Sequence, residues 1–285
     1  MQIDVHTHTF PDALATRALT KLVEKAQAKI QPISDGTVSG LLRDMYHDKI
    51  DYAVVCPIAT RPEHFDGILI ESLALRDGAR GHDAACHLIP FASVHPDDEA
   101  RFDHLKQVAD CGIRGIKLHP YYQPCVLDAP GMLEYFRCCC DLDLVVQCHC
   151  GFDIGFPHDE ICNPERVAHV IHEVPGLHFI ASHLGGWCQW EQVEKHLLGK
   201  AVYLDTAVPK LNWEAPQLNH LLREHPTERL LFATDWPWLK FDEGIQFIHS
   251  AGLTPQQEAK LLGGNAATLL GLPLKTPTWK NVATH

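Results

Sequence analysis

The chain is short of positive charge. Its 24 lysines and arginines face 36 aspartates and glutamates, for a formal net charge of −12 with neutral histidine. Such a surface repels phosphate backbones, so nucleic acid is not an expected partner, although a small basic pocket is still allowed. No window approaches about 18 uncharged apolar residues, so no membrane-spanning helix is expected. The opening Met1-Gln2-Ile3-Asp4-Val5 has no basic stretch leading into an apolar segment. A cytoplasmic protein without a membrane partner is therefore expected. No low-complexity tract, charge run or Gly/Ser linker divides the chain, which reads as one domain over residues 1–285. Paired Cys-x-x-Cys knuckles of the zinc-ribbon kind are also missing. The turn after the first apolar run, His6-Thr7-His8-Thr9-Phe10-Pro11, lacks the glycines of a dinucleotide-type phosphate turn.

Two residue types are abundant instead. The 285 residues include 20 histidines and 11 cysteines. An odd cysteine count prevents full pairing within one chain. The cysteines fall in runs that read as buried, such as Cys138-Cys139-Cys140 and Cys148-His149-Cys150, so reduced packing thiols are expected. A chain of this length with 46% hydrophobic residues buries a large core without covalent staples. The histidines call for a positional explanation, because imidazole serves both as a metal ligand and as a base near neutral pH.

A short β-rich run followed by a helical pattern recurs along the chain. The runs are Ile3–His6, Asp51–Ile58, Leu88–Val94, Ile113–His119, Leu144–His149, His178–His183, Val202–Thr206 and Leu230–Asp235. Between them, stretches such as 40–45 and 102–108 repeat apolar residues at intervals of three and four. Mostly continuous apolar strands alternating with helices imply a parallel sheet covered on its faces. Eight such units in this length predict an α/β fold, a closed (β/α)8 TIM barrel, with extra helices from Thr254 onward and a polar ending. An open doubly wound sheet is the alternative, disfavoured by the glycine-free first turn.

The polar residues carry the functional signal. In a barrel, the C-terminal strand ends converge on one face, where active sites are built. His6 and His8 are two apart, so both point to the same side. His149, His183 and Asp235 end later strands. Imidazoles with a carboxylate suit a divalent ion: zinc first, with manganese, iron or cobalt as alternatives. Such an ion acidifies water and polarises a carbonyl oxygen. Asp235 is then the expected proton acceptor and His183 the donor to the developing oxyanion. Asp4 shares the face of His6 and would orient a ligand imidazole, unless it only starts the strand. Arg61, after the second strand, is either a carboxylate clamp or a solvated arginine. Tyr121, Tyr122, Phe152, Asp153, Trp187 and Trp236 sit on post-strand loops, where they either line a pocket or pack the loops. His95, ending the third strand, is equally open.

Asp4-Val5-His6-Thr7-His8, Ile116-Lys117-Leu118-His119-Pro120, His149-Cys150-Gly151, Ser182-His183-Leu184-Gly185-Gly186, Ala233-Thr234-Asp235-Trp236-Pro237 and Gly264-Asn265-Ala266-Ala267 together resemble the amidohydrolase superfamily. The similarity points to the amidohydrolase-2 branch, which includes enzymes like aminocarboxymuconate-semialdehyde decarboxylase. It spans residues 4 to 267 in the right order and is specific for the superfamily, not for a substrate. The resemblance implies metal ligands at His6, His8, His149 and Asp235, with His183 beside the metal as an acid/base group. Binuclear members bridge two ions with a carboxylated lysine or a glutamate on strand four. Lys117 keeps that option open, while Lys117-Leu118-His119-Pro120 is usual in the mononuclear branch, so one ion per chain is expected. Nucleases of the superfamily usually present a strand-four glutamate, which this chain lacks.

Three readings compete. A metal-dependent hydrolase would cleave a C–N or C–O bond in a small molecule. A nonoxidative decarboxylase would act on a small carboxylic acid, aromatic or conjugated, and would need a cation such as Arg61 to orient it. A catalytically silent metal-binding barrel would have lost a ligand or the acid/base pair, and every one of these residues is present. The hydrolase is preferred. A homodimer is the default expectation for assembly.

Overall fold

The computed structural model describes residues 1–78 and 87–272. Eight parallel strands alternate with helices: β1 (Ile3–Thr7), β2 (Tyr52–Val55), β3 (Leu88–Pro90), β4 (Gly115–Leu118), β5 (Val145–Cys148), β6 (Phe179–Ala181), β7 (Tyr203–Asp205) and β8 (Leu230–Leu231). They pair in sequence order as β1-β2-β3 and β4-β5-β6-β7-β8. Two seams join these sets into a cylinder. Ala92 bridges Ile116 beyond β3, and Thr7 bridges Trp236 across the β8–β1 gap. The amide of Val5 donates to the Phe232 carbonyl at 2.9 Å, and that of His8 to the Trp236 carbonyl at 2.7 Å. The expected closed barrel is therefore the observed fold.

The outer layer contains α1 (Asp12–Lys25), α2 (Val38–Asp48), α3 (Phe65–Arg76), α4 (Arg101–Asp110), α5 (Pro130–Asp141), α6 (Pro164–Glu173), α7 (Trp190–His196), α8 (Gln217–Glu224) and α9 (Phe241–Ser250). Local chemistry sets their starts. The Thr37 hydroxyl caps α2 at the Gly40 amide, and the Asn163 side chain caps α6 at the Arg166 amide, just before Pro164. The expected extra helices are α10 (Pro255–Ala259) and α11 (Asn265–Leu270), joined by a π-helical turn at Lys260–Gly264. The polar ending at 273–285 lies outside the described residues.

Period-two alternation positions the site. Ile116, Leu118, Val146, Cys148 and Leu204 join the large apolar cluster shared with the helices. Their neighbours Lys117, Gln147 and Asp205 are buried on the other side, among polar partners. Several strands are shorter than the sequence suggested: the run to His119 ends at Leu118, and the run to Asp235 at Leu231. His183 and Asp235 take left-handed conformations, with φ of +61° and +57°. These lift both side chains out of the strand pattern, and such conformations persist where the surroundings enforce them. The ten cysteines among the described residues are all free thiols, as expected.

Candidate metal centre

His6 and His8 leave β1 at the C-terminal rim, and Asp235 reaches them from the loop after β8. His6 Nε2 and His8 Nε2 lie 3.2 Å apart. Asp235 Oδ1 is 3.4 Å from the first and 3.1 Å from the second. Donors sharing one ion at about 2.1 Å stand about 3.0 to 3.4 Å from one another, so the spacing suits a single divalent cation.

The tautomers support the same fit. His8 Nδ1 lies 2.7 Å from the Cys56 carbonyl oxygen, which can only accept, so its proton sits there. His6 Nδ1 faces Asp205 Oδ2 at 3.1 Å, so its proton sits there too. Both Nε2 atoms are then bare, and they face each other and a carboxylate. The Lys117 ammonium at 2.7 Å meets the His6 lone pair, but His8 Nε2 and the carboxylate still face each other, and a divalent cation among the three would relieve that repulsion. Burial, with the Lys117 ammonium nearby, pulls the His6 pKa down to about 4, which keeps the imidazole neutral as a ligand must be. Burial pushes the Asp235 carboxyl up, but His6 and His8 outweigh it and hold the group well below the ordinary carboxylate range. Lys117 is buried, and its Nζ lies 2.7 Å from His6 Nε2, within reach of the same lone pair.

A chain of contacts behind His6 holds its orientation. Gln147 Nε2 donates to Asp205 Oδ2 at 3.1 Å. The Cys56 thiol, pushed up to about 12 by burial, keeps its proton and donates to Gln147 Oε1 at 3.2 Å. Asp205 Oδ1 accepts the His183 amide at 2.8 Å. Asp205 is thus the carboxylate that orients the His6 imidazole, a role the sequence suggested for Asp4. Asp4 instead accepts the His6 amide at 2.8 Å and the Thr234 hydroxyl at 2.6 Å. Burial raises its pKa to about 8. Sequence reasoning passed over Asp205, although it ends β7 and so obeys the rule that picked out the candidate ligands.

His149 stands apart from this trio. Its Nε2 donates to the Phe152 carbonyl at 2.9 Å, and its Nδ1 meets His183 Nε2 at 2.9 Å. His183 Nδ1 in turn donates to the Ala207 carbonyl at 2.6 Å. Carbonyls at both outer ends fix the outer protons, so the inner contact is a hydrogen bond only if the pair carries a third proton. His149 also groups with His119 and Asp153 within 4.8 Å. The His119 and His149 rings are stacked, 4.1 Å apart and 13° from parallel. Their in-plane lone pairs therefore run side by side and do not converge. Burial drives both pKa values well below the ordinary imidazole range.

The trio opens onto a cavity of about 510 Å³, also lined by His119, His149, His183 and Trp187. Tyr122 and Asp153 line it too, and Phe152 lines the adjoining cavity, but four other residues singled out in the sequence lie elsewhere. Arg61 does not line the cavity; it is exposed, with its guanidinium 3.2 Å from His64 Nε2. The Tyr121 hydroxyl is tied to the Gly151 and Asp159 carbonyls, and Tyr122 lines the cavity in its place. Trp236 is fully buried, its indole donating to Asp44, and Trp238 is the tryptophan of that loop at the cavity. His95 is buried away from the cavity and accepts the Asp97 amide. The position of Trp187 depends on Gly151, at φ +84°. A Cβ there would stand 2.1 Å from the Trp187 amide nitrogen. Only glycine allows that approach.

Known structures share the architecture. A TIM-barrel protein from Bordetella bronchiseptica superposes with a TM-score of 0.73 at 18% identity, covering 95% of this chain and 98% of that one. A probable 2-pyrone-4,6-dicarboxylic acid hydrolase from Acinetobacter baumannii gives 0.66 at 16% identity, covering 95% and 99%. The 5-carboxyvanillate decarboxylase of Sphingomonas paucimobilis gives 0.68 at 13% identity, again covering 95% and 99%. At these identities the likeness speaks for the fold. No curated protein sequence matches the chain. The amidohydrolase family model matches residues 74–272, and the chain belongs to that family of metal-dependent enzymes acting on small molecules.

Proposed function

We propose that the protein is a metal-dependent hydrolase that cleaves a C–N or C–O bond of a small molecule, such as an amide, ester or lactone. The supporting observation is the meeting of two bare imidazole nitrogens and a carboxylate oxygen at a cavity. His6, His8 and Asp235 would hold one ion per chain, zinc first, with manganese, iron or cobalt as alternatives. His149 would complete the set through Nδ1, giving up its contact with His183 while Nε2 keeps the Phe152 carbonyl. The bound ion supplies Lewis acidity toward a carbonyl and lowers the pKa of water from about 15.7 to near 7.

The chain's own groups do the rest. Asp205 and the Cys56 carbonyl hold the two ligand rings with their Nε2 atoms outward. Asp235 takes up the proton of the attacking water at its carboxylate and returns it to the leaving nitrogen or oxygen. His183, its Nδ1 proton held by the Ala207 carbonyl, donates to the oxygen that gains charge only from Nε2, once that nitrogen has taken up a second proton. Trp187 and Trp238 narrow the space open to bulk water.

Decarboxylation of a small carboxylic acid is the second reading. It draws on Lys29, a cation lining the cavity, and on the shared fold of the 5-carboxyvanillate enzyme. The hydrolase is favoured because Arg61, the expected carboxylate clamp, faces His64 instead. The deciding experiment supplies amides, esters and lactones in 18O-labelled water, and aromatic and conjugated acids with CO2 detection. Label in the product, lost in Asp235→Asn, supports hydrolysis. CO2 release with no label from any substrate overturns it.

A further inference from the structure

Six apolar side chains from separate parts of the chain face the cavity: Leu22 of α1, Ile30, Ile58, Ile68 of α3, Leu211 and Trp238. None of them belongs to either apolar cluster that forms the core among the described residues. Five are half-buried, and Leu211 is 56% exposed. Hydrophobic side chains left out of a core yet gathered around one opening are what a site for an apolar ligand requires.

Space and charge point the same way. A second cavity of about 540 Å³ shares Ile154, Trp187 and Leu211 with the first, together with Lys29 and Asp153, so room continues away from the trio. Three charged groups besides Asp235 line the first cavity. Lys210 is neutralised by Glu243 at 2.8 Å, Asp153 lies near His119, and Lys29 is the remaining cation.

We infer that the substrate carries a neutral hydrocarbon tail of several carbons, bound along this wall while its reacting carbonyl sits at the trio. The inference rests on the metal-centre reading above and adds the substrate class: apolar-tailed acyl compounds in place of compact polar ones. Each methylene taken out of water on such a wall should tighten binding about fourfold.

The zinc-loaded protein is titrated by calorimetry with acetohydroxamate, butanohydroxamate, hexanohydroxamate and octanohydroxamate, whose head group binds divalent ions. Suberic acid monohydroxamate, of matched length and ending in a carboxylate, is the charged control. Affinity should climb along the neutral series and fall back for the control. Leu211→Asp and Ile68→Asp, both off the core, should flatten the climb while leaving acetohydroxamate binding unchanged. A flat series in the wild type, with acetohydroxamate still bound, overturns the tail inference alone. Tighter binding of the charged control than of octanohydroxamate also overturns it, because Lys29 would then be anchoring an anion. If none of the probes binds, the metal-centre reading fails and takes this inference with it.

Discussion

Two groups of side chains at the barrel rim share one composition. His6, His8 and Asp235 form the first; His119, His149 and Asp153 form the second. Each offers two imidazoles and a carboxylate within 4.8 Å. Their geometries differ because their partners differ. In the first, Asp205 and the Cys56 carbonyl take the Nδ1 protons and turn both Nε2 atoms toward one point. In the second, the rings stack, the Nε2 proton of His149 is held by the Phe152 carbonyl, and its Nδ1 faces His183. A metal centre is therefore defined by where its lone pairs point, and the atoms behind the ligands decide that.

The most severe test of this contrast is metal content. His8→Ala and Asp235→Asn should weaken divalent-ion affinity by at least about 100-fold and abolish activity, while Asp153→Asn should keep one ion per chain by elemental analysis. Equal loss in all three variants would erase the distinction between the groups.

A second test concerns the carboxyl beneath the first group. Asp4 has a folded pKa of about 8 against an ordinary 3.8, so the folded state holds a proton that the unfolded state releases. Its contribution to stability is complete below about pH 4 and is lost as pH rises through 8. Asp4 by itself should therefore cost up to a few kcal/mol of stability between pH 5 and 8, set against the gain with rising pH below about pH 6.5 from buried neutral imidazoles such as His6, and Asp4→Asn should remove that component from the pH profile. Chemical unfolding at several pH values checks it; parallel slopes in the two proteins would mean that Asp4 is ionised.

Asp205→Asn should act next most strongly, lowering metal affinity about 10- to 100-fold without unfolding the barrel, because His6 loses the acceptor that fixes its tautomer. Competition with a chromophoric chelator measures the change, and unaltered affinity would assign the orientation of His6 to other contacts. Lys117→Met should have the smallest effect. It touches the His6 lone pair from outside the trio, so one ion per chain should remain. Loss of that ion would make Lys117 a ligand in its own right.

Much of this architecture was legible in the amino-acid order. All eight strand runs occur where apolar residues cluster, because a buried parallel strand must be apolar on nearly every position. The trio was legible for a related reason, since strand ends in a barrel share one rim. Side-chain direction was not. Asp4 and Asp205 look alike as strand aspartates, yet one meets a backbone amide and a threonine while the other meets an imidazole. Trp236 and Trp238 are two residues apart in one loop, and the turn after Asp235 sends one into the core and the other to the cavity. Arg61 follows β2 closely, but the backbone carries it out to solvent beside His64.

Apolar runs alternating with helical patterns, and the placing of histidines and aspartates after those runs, thus determined the barrel and which polar side chains reach its rim, since both are properties of the local sequence. Tertiary structure alone decided which imidazoles converge, which carboxylate steadies them and which apolar residues are spared for the cavity. Those outcomes depend on contacts between segments up to about 230 residues apart, such as Asp4 with Thr234, and on left-handed turns at His183 and Asp235. Short-range pattern carries no information about either.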